Sequence, residues 1–121
     1  MQIRIALFGT MLCLCLAPSL WAQDAVKVDP KHYSVVTEND QVRVLKVHYG
    51  PHEKSIMHSH PDAVAVSMST GKVQFTLPDG KTQVVDFKSG DSRFTPAGTH
   101  LPENVSDHAM DLVLVELKGK P

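Results

Sequence analysis

Two histidines one residue apart, His58 and His60, sit in the stretch "KSIMHSHPDAVAVSMSTGK" (54–72), which alternates like a β-strand. Alternation with a period of two places both imidazoles on one strand face, roughly 6.5–7 Å apart along the chain. Ile56 is expected beneath them on that face, with Met57 and Ser59 turned the other way. Uncharged imidazoles at this spacing can lean toward a common ion, and imidazole suits zinc, iron, nickel or copper. Two rings do not complete a site, so a third ligand must come from another strand. His100 is the best candidate. It follows "TPAG", where Pro96 and Gly98 shape a turn able to deliver a side chain into a barrel mouth. A ligand histidine normally donates its second ring N–H to an acceptor, and Asn104 or a backbone carbonyl is expected to serve.

The elements that must position these side chains are short strands. Strand signals recur every eight to twelve residues, the pattern of an all-β sandwich or barrel. "YSVVT" (33–37) and "QVRVLKVHY" (41–49) read as strands, the second with its alternation slipping near Leu45, as at a bulge. "SIMHSH" and "AVAVSMS" (63–69) follow. "KVQFTL" (72–77) puts Val73, Phe75 and Leu77 on one face, and "PDGK" (78–81) is a hairpin turn into "TQVVDF". "SRFT" is a further strand, "LPENVSDHA" reads as irregular, and "MDLVLVELK" (110–118) is strongly β-prone. No helix is expected. Val64, Val66, Met68, Phe75, Leu77, Phe94, Leu112 and Leu114 are expected to form the core. The fold class is therefore all-β, a small antiparallel β-barrel in which few strand edges stay open.

With these residues in place the chain resembles the cupin superfamily. The first cupin motif runs glycine, histidine-x-histidine, a glutamate a few residues on, then a glycine; His58, His60 and Gly71 match, and the leading glycine is displaced, since Gly50 lies earlier than usual. The second runs glycine, five residues, proline-x-glycine, histidine, three residues, asparagine. Gly90, Pro96, Gly98, His100 and Asn104 match, with one residue fewer than usual between Gly98 and His100. The resemblance spans about residues 42–118. It implies a double-stranded β-helix, the cupin jelly roll, with a divalent metal held in its mouth.

One departure bears on chemistry. The motif glutamate falls at Val64, and its neighbours Ala63 and Ala65 cannot ligate either. Valine there is expected to face the histidines as a dry wall. The ligand set is then three neutral imidazoles, His58, His60 and His100, without an acidic companion. About three positions of an octahedral ion stay open, as at facial three-ligand iron sites. Iron is the first expectation, with manganese, nickel or zinc as alternatives. Neutral ligands leave the dication uncompensated, so an anionic small molecule is the expected occupant of an open position. Two functions fit: a dioxygenase or isomerase acting on a small anion, or a non-catalytic metal- or ligand-binding module.

Other titratable residues are weaker candidates. His48, His52 and Glu103 are considered as a fourth ligand, proton shuttle or base, and otherwise as exposed strand and loop residues. His32 and His108 are expected in solvent. Asp62 is expected to cap a turn, and Arg43 and Arg93 either steer an anionic substrate or face outward.

The N-terminus reads as a targeting segment. "MQIR" is basic, an apolar run follows, and Ala22 precedes polar "QDA". This is the pattern of a signal peptide over residues 1–22, which implies a periplasmic or secreted protein with a single domain at 23–121. Cleavage would remove Cys13 and Cys15, the two cysteines of the chain, and with them any disulfide, thiolate ligand or cysteine nucleophile. A domain of this size buries roughly 65% of its unfolded surface, enough for one core. With 12 Lys+Arg against 13 Asp+Glu there is no electrostatic footprint for nucleic acid or an anionic membrane. The seven histidines stand out in the composition. A homodimer is expected, paired through outer sheets with the apolar C-terminal strand as its edge.

Overall fold

The computed structural model describes residues 23–119. The expected signal peptide lies outside the described residues. Within them the chain runs α1 (Ala25–Val28), β1 (Tyr33–Glu38), β2 (Val42–Tyr49), β3 (His58–His60), β4 (Ala63–Ser67), β5 (Gly71–Thr76), β6 (Thr82–Phe87), β7 (Ser92–Thr95), β8 (Gly98–Asn104) and β9 (Met110–Leu117). All pairing between strands is antiparallel, in a five-stranded sheet ordered β1-β2-β9-β4-β7 and a four-stranded sheet ordered β3-β8-β5-β6. This is the all-β double-stranded β-helix expected from the sequence.

Alternation decides what each strand buries. On β2, Leu45, Val47 and Tyr49 are buried while Lys46 and His48 are exposed. Those three pack with Ala25, Tyr33, Ala63 and Leu114 in one core cluster, and Val73, Phe87 and Met110 form a second between the sheets. The irregularity expected near Leu45 is a bulge in the partner strand, where β1 shifts register between Val35 and Thr37 opposite Leu45 and Val44. Gly71 lies so close to Met110 that a Cβ would stand 2.5 Å from its sulfur. A side chain there would have to displace a fully buried residue, which accounts for a glycine at that motif position.

Five expectations about the framework are corrected. A one-turn helix exists: Asp24 caps α1, its carboxylate accepting from the Val26 and Lys27 amides. "LPEN" is not irregular but completes β8, which pairs with β3 through His100 and with β5 beyond it. Pro102 lies within β8, where its carbonyl accepts from the Ser55 amide. β9 is not an edge; it lies between β2 and β4 and is paired along both sides. Val64, Val66, Met68 and Phe94 do not form the core; Phe94, opposite Val64, is 60% exposed. Pro61 and Asp62 break the chain between β3 and β4, so inward parity restarts on Ala63, Ala65 and Ser67, and Met68 is 58% exposed. Ile56 likewise precedes β3 and is 53% exposed, not packed beneath the histidines.

Candidate metal centre

Strand pairing brings the three histidines together. In the β3–β8 ladder His58 lies directly opposite His100, and His60 opposite Gly98. The ring centroids are 4.7 Å apart for His58–His60, 5.1 Å for His58–His100 and 5.4 Å for His60–His100. One nitrogen from each ring lies within 4.8 Å of the other two. His58 is fully buried and His60 is 9% exposed. His100 is half-buried and packs against the Phe75 ring at 4.9 Å.

The surroundings fix the protons on two of the rings. His58 Nδ1 is 2.7 Å from the Ile56 carbonyl, which can only accept, so Nδ1–H donates and Nε2 carries a lone pair. His60 Nδ1 donates to the Glu116 carboxylate at 2.8 Å, which in the neutral ring leaves a lone pair on Nε2 as well. The two Nε2 atoms are 2.9 Å apart. Two lone pairs facing each other at that distance repel unless a positive centre lies between or beside them. Nitrogens each about 2.1 Å from one ion and at a right angle to each other would be about 3.0 Å apart. The donor set therefore fits a transition-metal ion. Burial and the neighbouring His60 push the His58 pKa down to about 4, and burial with His60 and His58 pushes His100 down to about 3. Both rings are neutral at pH 7, the form a metal requires.

No carboxylate joins the three histidines, as expected, but one stands directly behind His60. Glu116 on β9 is 2% exposed. Its other oxygen accepts from Arg43 Nε at 2.6 Å, and Arg43 also pairs with Asp24, the cap of α1. Burial alone would raise the Glu116 pKa, but the hydrogen bonds from His60 and Arg43 outweigh it and hold the group ionised below the usual carboxylate range. Arg43 thus neither steers substrate nor simply faces outward; it clamps Glu116. His58 has a second support. Ser55 Oγ lies 3.4 Å from its Nδ1 and donates to Asp29 at 2.5 Å.

The remaining expectations divide. Asn104 is not an acceptor for a ligand histidine: its amide donates to the Gly50 and His108 carbonyls and its oxygen accepts from Ser106 N, which ties down the loop after β8. His32 is not solvated. It is buried, stacked on Tyr49 at 4.4 Å, and bracketed by Asp29 at 2.7 Å and Glu53 at 2.9 Å. His48 and His52 are exposed and pair with Asp111 and Asp107, away from the trio. His108 is exposed, as expected. Glu103 pairs across the ladder with Gln74 on the outward side of β8. Val64 does not wall the site; Ala65 is the residue of β4 that does. Asp62 accepts from the Ala97 amide at 2.7 Å and so joins the turn after β3 to the turn before β8.

His60 and His100 open onto a cavity of about 420 Å³ between the sheets. Its walls are largely aliphatic and aromatic, with the Tyr33 and Tyr49 hydroxyls hydrogen-bonded to each other at 2.7 Å. Burial raises the pKa of both tyrosines, so both stay protonated. Among the described residues that line the cavity there is no carboxylate.

Fold and site together define a small barrel protein with a histidine-built, metal-competent pocket. No family sequence model and no curated protein sequence matches the chain. Solved structures do. A cupin domain from Bordetella pertussis is 29% identical, with 72% of this chain and 92% of that one covered and a TM-score of 0.67. An RmlC-like cupin with a double-stranded β-helix fold from Methanocaldococcus jannaschii is 15% identical over 70% of this chain and 77% of that one, TM-score 0.57. The polyketide cyclase RemF from Streptomyces resistomycificus is 17% identical over 74% and 66%, TM-score 0.54. The chain belongs to the cupin superfamily.

Proposed function

We propose that this cupin holds a divalent transition metal on His58, His60 and His100 and binds a small organic anion in the cavity onto which that site opens. The observation that carries the reading is the pair of Nε2 lone pairs facing each other at 2.9 Å, each fixed by an acceptor behind its ring. Iron is the metal we favour, with manganese, nickel or zinc as competitors for the same donors. The ion would supply Lewis-acid or dioxygen chemistry to a bound molecule. The chain's own residues orient that molecule and exclude water. Of the two reaction classes the site admits, a dioxygenase fits better than an isomerase. Isomerisation needs a group that takes and returns a proton. The cavity offers no carboxylate, and its tyrosines stay protonated. The same lack of a base also suits a non-catalytic binding module, the second reading.

Elemental analysis of the purified domain tests the site. About one metal per chain is expected in the native protein and in His48→Ala, and almost none in His58→Ala or His100→Ala. Equal loss in His48→Ala would show the ligand set to be wrong. Bound iron with oxygen uptake on adding small thiols or carboxylates supports the dioxygenase; tightly held zinc without turnover supports the binding module. We further propose that the protein is exported to the periplasm or beyond. N-terminal sequencing of the mature protein is then expected to begin at Gln23, and a chain that retains Met1 would refute export by this route.

A further inference from the structure

The cavity has a charged end that the metal reading does not use. Apart from its histidines, Arg93 is the one lining residue among those described that carries charge. Most of the remaining wall is apolar, with Val73, Phe75, Val85, Phe87, Leu112 and Leu114 among its residues. Arg93 is held in place without being neutralised. Its guanidinium lies 4.6 Å over the Phe87 ring, and one Nη donates to the Asp86 carbonyl at 3.0 Å. The Asp86 carboxylate is turned to Lys72, 2.9 Å away. Among the described residues the remaining guanidinium N–H groups meet no carboxylate, and a planar fork of this kind matches one bidentately. Register places the charge relative to the histidines. Arg93, exposed at the cavity's end, is opposite Ala65 in the row that continues to Leu114, next to the row that holds Ala63, Thr95 and Glu116, the partner of His60. Leu77 and Phe94, 39% and 60% exposed, also line the cavity.

We infer that the ligand is an apolar carboxylate, its hydrocarbon or aromatic body in the cavity and its carboxylate on Arg93 instead of on the ion. This rests on the reading of the cavity as the ligand site, but not on the metal. The fork, anchored on Phe87, sets the ligand's direction, so its opposite end is presented to His60 and His100.

The test uses 3-phenylpropionate and its neutral counterpart 3-phenylpropan-1-ol, titrated into the chelator-treated protein and followed by amide and side-chain NMR shifts of the cavity residues. The acid is expected to bind about tenfold more tightly than the alcohol. Arg93→Gln should abolish that preference while leaving alcohol binding and metal uptake unchanged, and Arg93→Lys should keep part of it. Equal binding of the two probes, or a preference that survives Arg93→Gln, would overturn the inference. Metal uptake, measured on the same samples, reports separately on the histidine site. A chain that takes up no metal yet keeps the Arg93-dependent preference would refute the metal reading and leave this one standing.

Discussion

Replacing Glu116 with glutamine is expected to weaken metal binding by 10–100-fold although Glu116 touches no metal. The carboxylate accepts the Nδ1–H of His60 at 2.8 Å, which holds the ring's tautomer and makes its Nε2 a better donor. An amide can accept through its oxygen but brings no charge to the ring. It also presents an NH₂ to Arg43, which donates from 2.6 Å and has no capacity to accept. Arg43 then keeps only Asp24 as an anionic partner. Removing one member of a buried charged pair typically costs 3–5 kcal/mol. Arg43 is partly exposed, which places this loss toward or below the lower end. The checks are competition of Glu116→Gln with a metallochromic indicator and its chemical unfolding midpoint without metal. Unchanged metal affinity would show that Glu116 supports the barrel alone. Glu116→Asp, which keeps the charge but shortens the reach, should fall between.

The case of Glu116 shows where sequence reading succeeds on this fold and where it stops. His58 and His60 are neighbours by strand period alone, and the two motifs pointed to His100, which the β3–β8 ladder puts opposite His58. The strands at 33–38, 42–49, 71–76, 82–87 and 110–117 follow from alternation and turn residues. A signal for Glu116 was also present. It stands two residues beyond Leu114 on the inward face of β9, and Arg43 stands two residues before Leu45 on the inward face of β2. A lone acid and a lone base on the buried faces of two strands suggest a pair. Pairing them requires the β2–β9 register, in which they are directly opposite, and that is a long-range fact. The inward parity of β4 was lost for another reason. A proline-containing break resets the count, so the residue four after His60 turned outward. His32 was misplaced because its burial depends on Tyr49 and Glu53, far along the chain.

Without metal, the protein is expected to lose stability as pH falls from about 6.5 toward 3, and the loss should come from His58 and His100. His58 and His100 titrate at about 4 and about 3 in the fold, against 6.5 in an unfolded chain. Between those values the unfolded state binds more protons than the native state, so stability rises with pH across the window and falls on acidification. For His58, with no exposed surface, the shift corresponds to a loss on the order of 3 kcal/mol. Glu116 acts in a different window with the same sign. Its carboxylate is held below 4.5 in the fold, so its contribution is complete above the unfolded value and disappears as pH falls through the folded one. Thermal unfolding of chelator-treated protein should therefore show a first decline above pH 4.5, which His58→Gln flattens. Below pH 4.5 the decline also carries the rest of the histidine loss, down to the His100 value of about 3, and Glu116→Gln should flatten the Glu116 part of it. A metal ion binds only the unprotonated rings, so saturating zinc should raise the melting temperature most near neutral pH and lose that effect on acidification. A first decline that His58→Gln leaves untouched would mean that the rings are not buried as neutral imidazoles, and the case for facing lone pairs would fall with it.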